Sequence, residues 1–174
     1  MRKVFALLSF ACMLAIPAAA QDELPRREIF GGFSHQTSED VGLNGWTAGV
    51  GYNFADNFGV EAQASGHYGS EEFFVLGVDS NIHNFHAGPK AFIFDENNRF
   101  GAFVHLLFGA SHVSADTGVR DDSDTAFSWV IGIGADINVT RRFGARLGAD
   151  LLRTNFFDEG DNNGRYTVGV VYRF

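Results

Sequence analysis

Strict alternation of large apolar residues with polar or small ones constrains this chain more than any other feature, and it continues to the last residue. In the final segment, RYTVGVVYRF, alternate residues from Tyr166 to Phe174 are large and apolar, whereas Thr167, Gly169 and Arg173 lie on the other face. A period of two is typical of a β-strand with two different faces. Most domains fray into polar residues at the end, so a strand that ends on a bulky apolar side chain indicates a terminus with a structural role.

The same alternation recurs along the chain in segments separated by turn-forming residues, and helical periodicity is hard to find after residue 20. Eight segments follow it: REIFGGFSH (27–35), GWTAGVGYNF (45–54), NFGVEAQASGHYG (57–69), NIHNFHAGPKAFIF (81–94), RFGAFVHLLFGASH (99–112), TAFSWVIGIGADINV (125–139), FGARLGADLLR (143–153) and RYTVGVVYRF (165–174). Each has about the ten residues that a tilted membrane strand needs, and an even number permits antiparallel closure. The sequence therefore predicts an all-β fold, an eight-stranded antiparallel up-and-down transmembrane β-barrel.

The predicted connections alternate between short and long. Tight turns fall at residues 55–57, 95–98 and 140–142, and long polar loops fall at residues 36–44, 69–80, 113–124 and 154–163. Outer-membrane barrels have this layout, with their short turns toward the periplasm. Both ends of the mature chain are then expected at the periplasmic rim.

The two strand faces distinguish a membrane barrel from a soluble barrel of the lipocalin type, which would point its apolar side chains inward. One face is crowded with glycines and charged residues, as suits the narrow lumen of an eight-stranded barrel. The other face carries aromatic residues near both strand ends: Phe54, Phe58, Phe100, Phe143, Tyr172 and Phe174 at the short-turn rim, and Phe33, Trp46, Tyr68, Phe127, Trp129 and Tyr166 toward the long-loop rim. Two aromatic belts are typical of membrane barrels, so the apolar face is predicted to contact lipid.

Turn lengths also predict the strand register, because residues directly opposite each other share a face. They pair Phe54 with Phe58, Val139 with Phe143, and Ile93 with Phe100. Pro89 falls in mid-strand and removes a backbone donor, so a bulge or weak pairing is expected there. Phenylalanines make strands 81–94 and 99–112 apolar on both faces, which leaves this pair with the least defined register: Phe85, Phe92, Phe94 and Phe103.

The first twenty residues form a separate segment. A basic start is followed by an apolar stretch and by the small residues Ala18 to Ala20, which is the pattern of a secretory signal peptide. The predicted organisation is a signal peptide at residues 1–20 and an outer-membrane β-barrel domain at residues 21–174. Cys12, the only cysteine, lies in the signal peptide, so the mature chain is expected to have no cysteine metal site. The formal net charge of −8 makes nucleic acid a poor partner.

The signal peptide, the eight amphipathic strands and the terminal Tyr172-Arg173-Phe174 together resemble the small outer-membrane β-barrel domain proteins, the OmpA-like and OmpX-like group. REIFGGFSH, HAGPKAFIF and FVHLLFGASH look like strand segments of bacterial members. The resemblance implies localisation in the outer membrane and removal of the signal peptide. It also implies that Tyr172 and Phe174 are an assembly signal read by the barrel assembly machinery. Because no peptidoglycan-binding domain follows the barrel, an envelope-tethering role is not expected.

Charged residues on the inward face form the most interpretable candidate site. The predicted lumen charge network comprises Glu61, Lys90, Asp136, Arg146, Asp150 and Arg173. Counting from the tight turn at residues 140–142 places Asp136 directly opposite Arg146. Charges enclosed in a narrow barrel need partners of opposite sign to offset desolvation.

Two further pairs are expected in this network. Glu61 is predicted near the level of Lys90, and Arg173 is predicted near Glu28 if the last strand closes against the first. The first interpretation is a polar plug that closes the barrel. The alternative is a salt-bridge gate that rearranges to open a small pore.

Histidines near the long-loop rim are a second candidate site, because a cluster could bind a transition metal or haem. Alternation points three of them inward and three outward, namely His67, His86 and His105 inward, and His35, His83 and His112 outward. They do not converge on this pattern. No metal or cofactor is therefore predicted.

Two further possibilities concern lipid-modifying chemistry and cation binding. Ser111 and His112 suggest a barrel enzyme that modifies lipid A, but adjacent strand residues face opposite ways, so this pair cannot meet within one strand and no catalytic residue is predicted. The predicted loops are acidic, with Glu39, Asp40, Glu71, Glu72, Asp79, Asp116, Asp121, Asp122, Asp124, Asp158, Glu159 and Asp161. They are expected to be solvated, and loose binding of Ca²⁺ or Mg²⁺ is the alternative.

The chain is therefore expected to be a small, non-enzymatic outer-membrane barrel with a charge-plugged lumen and a structural or surface-interaction role through its acidic outer loops. Alternatives are a low-conductance pore gated by lumen salt bridges and a lipid A-modifying enzyme. The expected partners are outer-membrane lipid, lipopolysaccharide and the barrel assembly machinery. The barrel is expected to be a monomer.

Overall fold

Eight β-strands form one closed antiparallel barrel, as predicted. The computed structural model describes residues 25–38, 41–73, 76–116, 121–156 and 159–174, so the predicted signal peptide at residues 1–20 lies outside the described residues. The strands are β1 (Arg27–Ser38), β2 (Val41–Asn53), β3 (Phe58–Phe73), β4 (Leu76–Phe94), β5 (Phe100–Asp116), β6 (Asp121–Asn138), β7 (Phe143–Phe156) and β8 (Glu159–Arg173). Each strand pairs with its sequence neighbours, and β8 pairs with β1. Within these ranges, no helix is long and apolar enough to cross a membrane.

The seam between the first and last strands closes the barrel at the chain terminus. Glu28 lies opposite Arg173, as predicted. Just beyond this pair, the N–H of Phe174 donates to the carbonyl of Arg27 at 2.9 Å, and the N–H of Arg27 donates to the carbonyl of Phe174 at 3.3 Å. The unfrayed terminus is therefore one side of the closing ladder.

The strand register agrees with two of the three predicted turn pairs. Phe54 donates its N–H to the carbonyl of Phe58 at 3.1 Å, and Val139 donates to Phe143 at 2.9 Å. The pairing of Ile93 with Phe100 is wrong, because Ile93 lies opposite Ala102. The turn keeps its four residues but is shifted by one residue along the chain, to residues 96–99, since the N–H of Asp95 donates to the carbonyl of Phe100. A shift of two residues keeps every side chain on its predicted face.

The strands continue further from the short turns than predicted. β4 begins at Leu76 instead of residue 81, and β5 continues to Asp116 instead of residue 112. The long loops predicted at 36–44, 69–80, 113–124 and 154–163 are thus wrong in extent, because most of these residues continue the sheet. The backbone ladder does not depend on side-chain polarity. Pairing therefore persists where the alternation that marks a strand stops.

The exposed fractions of side chains confirm the two predicted faces. Outward residues such as Phe127, Ile133 and Val170 are 61%, 64% and 66% exposed, whereas inward Asp136 and Arg173 are 3% and 1% exposed. The two strands whose register was least defined by the sequence, β4 and β5, also have distinct inward and outward faces. Phe85 points outward at 62% exposure, and Phe103 points inward at 8%.

Pairing between β4 and β5 is interrupted at Gly88 and Pro89. The paired residues run from Ala87 opposite Phe108 directly to Lys90 opposite His105. No residue is inserted, so the weak pairing expected at Pro89 is found without a bulge. Pro89 has no N–H to donate. A Cβ at Gly88 would lie 2.2 Å from the carbonyl oxygen of Leu106, so only glycine allows this close approach.

We expect the depth of a charge on the outward face to determine its cost. Ile133, midway between Phe127 of the outer aromatic belt and Val139, is 64% exposed, and Val139, at the tight turn, is 80% exposed. Ile133→Arg should lower the free energy of unfolding by about 2–4 kcal/mol in phospholipid vesicles, whereas Val139→Arg should cost about 0–1 kcal/mol. Urea titration of the refolded proteins measures both values. Equal costs at the two positions would contradict a lipid-facing wall.

Candidate functional site

All six residues of the predicted lumen network are buried inside the barrel. Glu61, Lys90, Asp136, Arg146, Asp150 and Arg173 are between 1% and 7% exposed. The tight turn between β6 and β7 places Asp136 opposite Arg146. Arg146 donates from Nε to Oδ1 of Asp136 at 2.8 Å and from Nη2 to Oδ2 at 2.9 Å. This two-point contact is the strongest geometry available to an arginine and a carboxylate.

Arg146 also connects this pair to carboxylates on β1 and β3. Its Nη2 donates to Oε1 of Glu28 at 2.9 Å, and its Nη1 donates to Oε2 of Glu61 at 3.4 Å. The guanidinium lies 4.7 Å from the ring centroids of both Phe30 and Phe103. Its faces therefore contact aromatic rings while its edge binds oxygen, which restricts its orientation.

Lys90 and Arg173 complete the part of the network near the short turns. Lys90 pairs with Glu28 and lies 3.5 Å from Oε2 of Glu61. Arg173 pairs with Asp136, and its Nε lies 3.4 Å from Oε2 of Glu28. Each carboxylate here is therefore shared between at least two cations.

His105 joins this group of charges to a second group, which lies farther from the short turns. Its Nδ1 lies 3.1 Å from Oε1 of Glu61, and its Nε2 lies 3.0 Å from Oδ1 of Asp150. Ionised carboxylates only accept hydrogen bonds, so this geometry suits an imidazolium ring that donates from both nitrogens. Arg165 donates to Oδ2 of Asp150 at 2.6 Å and to Oε1 of Gln63 at 2.7 Å. The ion pairs thus form one continuous chain of contacts. Its side chains come from β1 and from each of the strands β3 to β8.

Three members of this chain were not in the predicted network: Glu28, His105 and Arg165. Each has the inward parity of its strand, which is the signal that could have found it. Glu28 was expected only as a neighbour of Arg173. Arg165 follows the long connection between β7 and β8, whose length does not define how the two strands pair. Its position opposite Asp150 could therefore not be counted from a tight turn.

Farther from the short turns than the charged residues, an apolar layer fills the lumen. A neutral polar layer follows it. Leu107, Val130 and Leu152 pack together at 0–1% exposure. Farther from the short turns, His67 lies 2.9 Å from Ser34 Oγ, and His86 lies 2.8 Å from Ser128 Oγ.

The histidines and Ser111 have the orientations that alternation predicts. Ser111 is buried and donates to Ser128 Oγ at 2.9 Å, whereas His112, on the other face, lies 2.7 Å from Thr125 Oγ1. Among the residues that the structure describes, the second ring nitrogen of His86 has no hydrogen-bond partner, so no described carboxylate orients it toward Ser128. Within the described ranges, no group of three or more His, Cys, Asp or Glu residues could hold a metal ion. The side chains of the predicted acidic loops lie outside the described part of the structure.

The terminal aromatic residues extend a stack on the outer wall near the short turns. The rings of Phe143 and Tyr172 are 4.7 Å apart, and those of Tyr172 and Phe174 are 5.9 Å apart. Phe174 is 51% exposed. The predicted assembly residues therefore lie on the lipid-facing side.

Solved structures similar to this one are small outer-membrane barrels. Ail, the attachment invasion locus protein of Yersinia pestis, is 21% identical with a TM-score of 0.62, covering 87% of this chain and 100% of its own. Neisserial surface protein A is 15% identical with a TM-score of 0.65, covering 85% of this chain and 96% of its own. OprG from Pseudomonas aeruginosa is 12% identical with a TM-score of 0.56, covering 88% and 98%. At these identities the likeness shows the fold alone.

Comparison of sequences gives the family. No curated protein matches this chain. The family model described as "Outer membrane protein beta-barrel domain" matches residues 5–174. Together with the closed eight-stranded barrel and its apolar outer wall, this match shows that the chain belongs to the outer membrane protein beta-barrel domain family.

Proposed function

We propose that this protein is a non-enzymatic, non-conducting outer-membrane barrel whose lumen is closed by the chain of ion pairs. We call the nine charged residues of that chain the lumen plug: Glu28, Glu61, Lys90, His105, Asp136, Arg146, Asp150, Arg165 and Arg173. The continuity of these contacts from β1 to β8 is the observation that carries the proposal. Lipid supports the barrel from outside, and the outer hairpins carry the surface role.

Two spaces within the plug are each too small for an ion pathway. A cavity beside Glu28, Lys90 and Asp136 measures about 10 Å³, and another beside Glu61 and His105 measures about 20 Å³. A single water needs about 10–15 Å³. Each space is therefore the size of one water, which supports a closed lumen.

A rearranging plug would face a large electrostatic barrier. Moving Arg146 away would leave the buried carboxylates of Glu28, Asp136 and Glu61 with fewer cations. Removing one partner of a buried pair costs several kcal/mol, because an uncompensated charge stays in a low-dielectric site. This cost favours the plug over the salt-bridge gate.

A lipid-modifying activity has less support than a structural role. The contact between His86 and Ser128 lies inside the barrel wall, away from lipid. A serine nucleophile needs a base that is oriented by a third group, and His86 has no such partner among the described residues. We therefore propose that the barrel has no catalytic site and needs no cofactor.

The outer hairpins are proposed as the contact surface of the protein. Ail has been solved in complex with the heparin analogue sucrose octasulfate. The acidic residues of the outer segments 36–44, 69–80, 113–124 and 154–163 would repel such a polyanion. Divalent cations that bridge these carboxylates to lipopolysaccharide phosphates suit this surface better. The barrel would act as a monomer within lipid and lipopolysaccharide.

Planar-bilayer recording of the refolded protein tests the closed lumen. We expect the wild-type protein to show no single-channel steps. Arg146→Ala combined with Leu152→Ala removes parts of two filled layers and should produce steps, whereas the outward Arg153→Ala should not. Wild-type steps that change when Asp136 or Arg146 is neutralised would replace the plug with the gate. Wild-type steps that no lumen substitution alters would also contradict the plug.

The plug should also contribute to stability. Arg146→Met leaves three carboxylates short of a cation and should lower the free energy of unfolding by about 3–5 kcal/mol. Arg153→Met, on the exposed outer face, should change it by about 0.5 kcal/mol or less. Urea titration in phospholipid vesicles measures both. A loss at Arg146 no larger than that at Arg153 would refute an energetic role for the network.

Tyr172 and Phe174 are proposed as the signal that the barrel assembly machinery reads after the signal peptide is removed. Phe174→Ser should reduce the amount of folded barrel in outer membranes severalfold, measured as the heat-modifiable band on a gel. The purified variant should still refold in detergent, because Phe174 is half exposed. Phe100→Ser changes an aromatic residue of the same rim at 61% exposure and is the control. Equal reductions for both variants would point to the aromatic belt instead of a terminal signal.

A further inference from the structure

Three exposed arginines follow one another around the short-turn end of the lumen. They are Arg26 before β1, Arg99 before β5 and Arg142 before β7. We call them the arginine arc. Neighbouring members are two strands apart, because β6 lies between β5 and β7, and β8 lies between β7 and β1. With about 4.8 Å between adjacent strands, neighbours on the arc start about 10 Å apart.

Strand register places the arc on the lumen-facing side of the rim. The carbonyl of each arginine accepts the N–H of the residue opposite it: Asn53 donates to Arg26 at 2.7 Å, Asn138 to Arg99 at 2.8 Å and Arg173 to Arg142 at 2.7 Å. The three donating residues point inward and are between 1% and 8% exposed. Residues directly opposite each other share a face of the sheet. The arc therefore lies along the lumen mouth and does not face lipid.

Two further arginines lie next to members of the arc. Arg27 lies opposite Tyr52, which points outward and is 45% exposed. Arg141 precedes Arg142 on the β6–β7 turn and is exposed as well. Successive strand residues point to opposite faces, so Arg26 and Arg27 differ in face while both are charged and exposed. Two members of the arc thus have a matched neighbour.

The two tight turns fix the backbone of Arg99 and Arg142. Asp95 Oδ1 accepts the N–H of Arg99 at 2.6 Å, and Thr140 Oγ1 accepts the N–H of Arg142 at 3.2 Å. Each arginine is thus bound through its N–H within its own turn and through its carbonyl to the neighbouring strand. The long side-chain stems can then extend from fixed points toward one ligand.

The carboxylates of the lumen plug do not neutralise the arc. Glu28, the second residue of β1, and Asp136, near the end of β6, are the plug carboxylates nearest to the short turns. Glu28 pairs with Lys90 and Arg146, and Asp136 pairs with Arg146 and Arg173. Their charge is therefore already shared among buried cations.

Arginines also outnumber acidic groups along this part of the rim. Between the β4–β5 turn and the start of β1, the described rim carries five arginines and three acidic groups: Arg26, Arg27, Arg99, Arg141 and Arg142, and Asp95, Glu96 and the carboxylate of Phe174. Asp95 is bound to its own turn. The outer segments of the chain are acidic instead, so a soluble anion is attracted to the short-turn rim and repelled from the opposite one.

We propose that the arginine arc binds one water-soluble phosphorylated anion at the short-turn mouth of the lumen. Guanidinium groups bind phosphate oxygens in pairs. Three of them present more N–H donors than one carboxylate, with its two oxygens, can accept, whereas a diphosphate has enough oxygens for several guanidinium groups. An arc that faces the lumen mouth favours a soluble anion over a lipid head group. The family orientation places this site on the periplasmic side, and it goes beyond the closed lumen of the proposed function.

Isothermal titration calorimetry of the refolded protein in nonionic detergent tests the site, with inorganic diphosphate as the probe. One diphosphate should bind per chain, and binding should weaken as salt is raised. Arg99→Gln and Arg142→Gln should each weaken binding about tenfold, because each removes charge-assisted hydrogen bonds. Both side chains are exposed and both backbone contacts remain, so the variants should fold and keep the heat-modifiable band.

Matched variants separate the arc from the rim as a whole. Arg27→Gln and Arg141→Gln make the same charge change beside Arg26 and Arg142. Both should bind diphosphate within about twofold of the wild type, because a solvated charge outside the site contributes little. Citrate carries a similar negative charge on planar carboxylates and should bind severalfold more weakly than diphosphate.

Several results would overturn the proposal. They are no binding of diphosphate to the wild type, equal losses in the arc variants and their neighbours, equal binding of citrate and diphosphate, and binding of short-chain phosphatidate that diphosphate cannot displace. The last result would assign the arginines to a lipid head group. Arg99 and Arg142 are outside the lumen plug, so Arg99→Gln should leave the bilayer recordings unchanged. A failed anion test is therefore distinguishable from a failed plug.

Discussion

Closure of the backbone ladder between β1 and β8 is the constraint on which the rest of the structure depends. A hydrocarbon environment contains no water to satisfy an open strand edge, so the sheet is viable there only as a complete ring. The exchange of hydrogen bonds between Arg27 and Phe174 completes that ring at its short-turn rim. With only eight strands the lumen is narrow, and side chains must fill it.

Filling the lumen with charge is compatible with this constraint only when the charges compensate each other. His105 is central here, because it connects Glu61 to Asp150 and thereby unites the group around Arg146 with the group around Arg165. Phenylalanine rings against Arg146 exclude water from the same space. The interior is therefore polar in composition, and its charged side chains are buried and paired with one another.

Much of the fold and of the lumen network could be predicted from the sequence. What could not be predicted has a physical reason. Alternation defined the strands and faces, and the turn between Val139 and Phe143 placed Asp136 opposite Arg146. Strand length could not be predicted, because pairing beyond the lipid region does not require alternation. Nor could the contacts of His105 with two other strands, since they arise only when closure brings β3, β5 and β7 together across the lumen.

The interruption at Gly88 and Pro89 affects where the barrel wall opens locally. Local opening begins where ladder contacts are fewest and little side-chain packing is lost. The β4–β5 seam lacks two successive pairs, and glycine contributes no side chain to hold it. We therefore expect local opening of the wall to begin beside Lys90, while the seam at the chain ends stays paired.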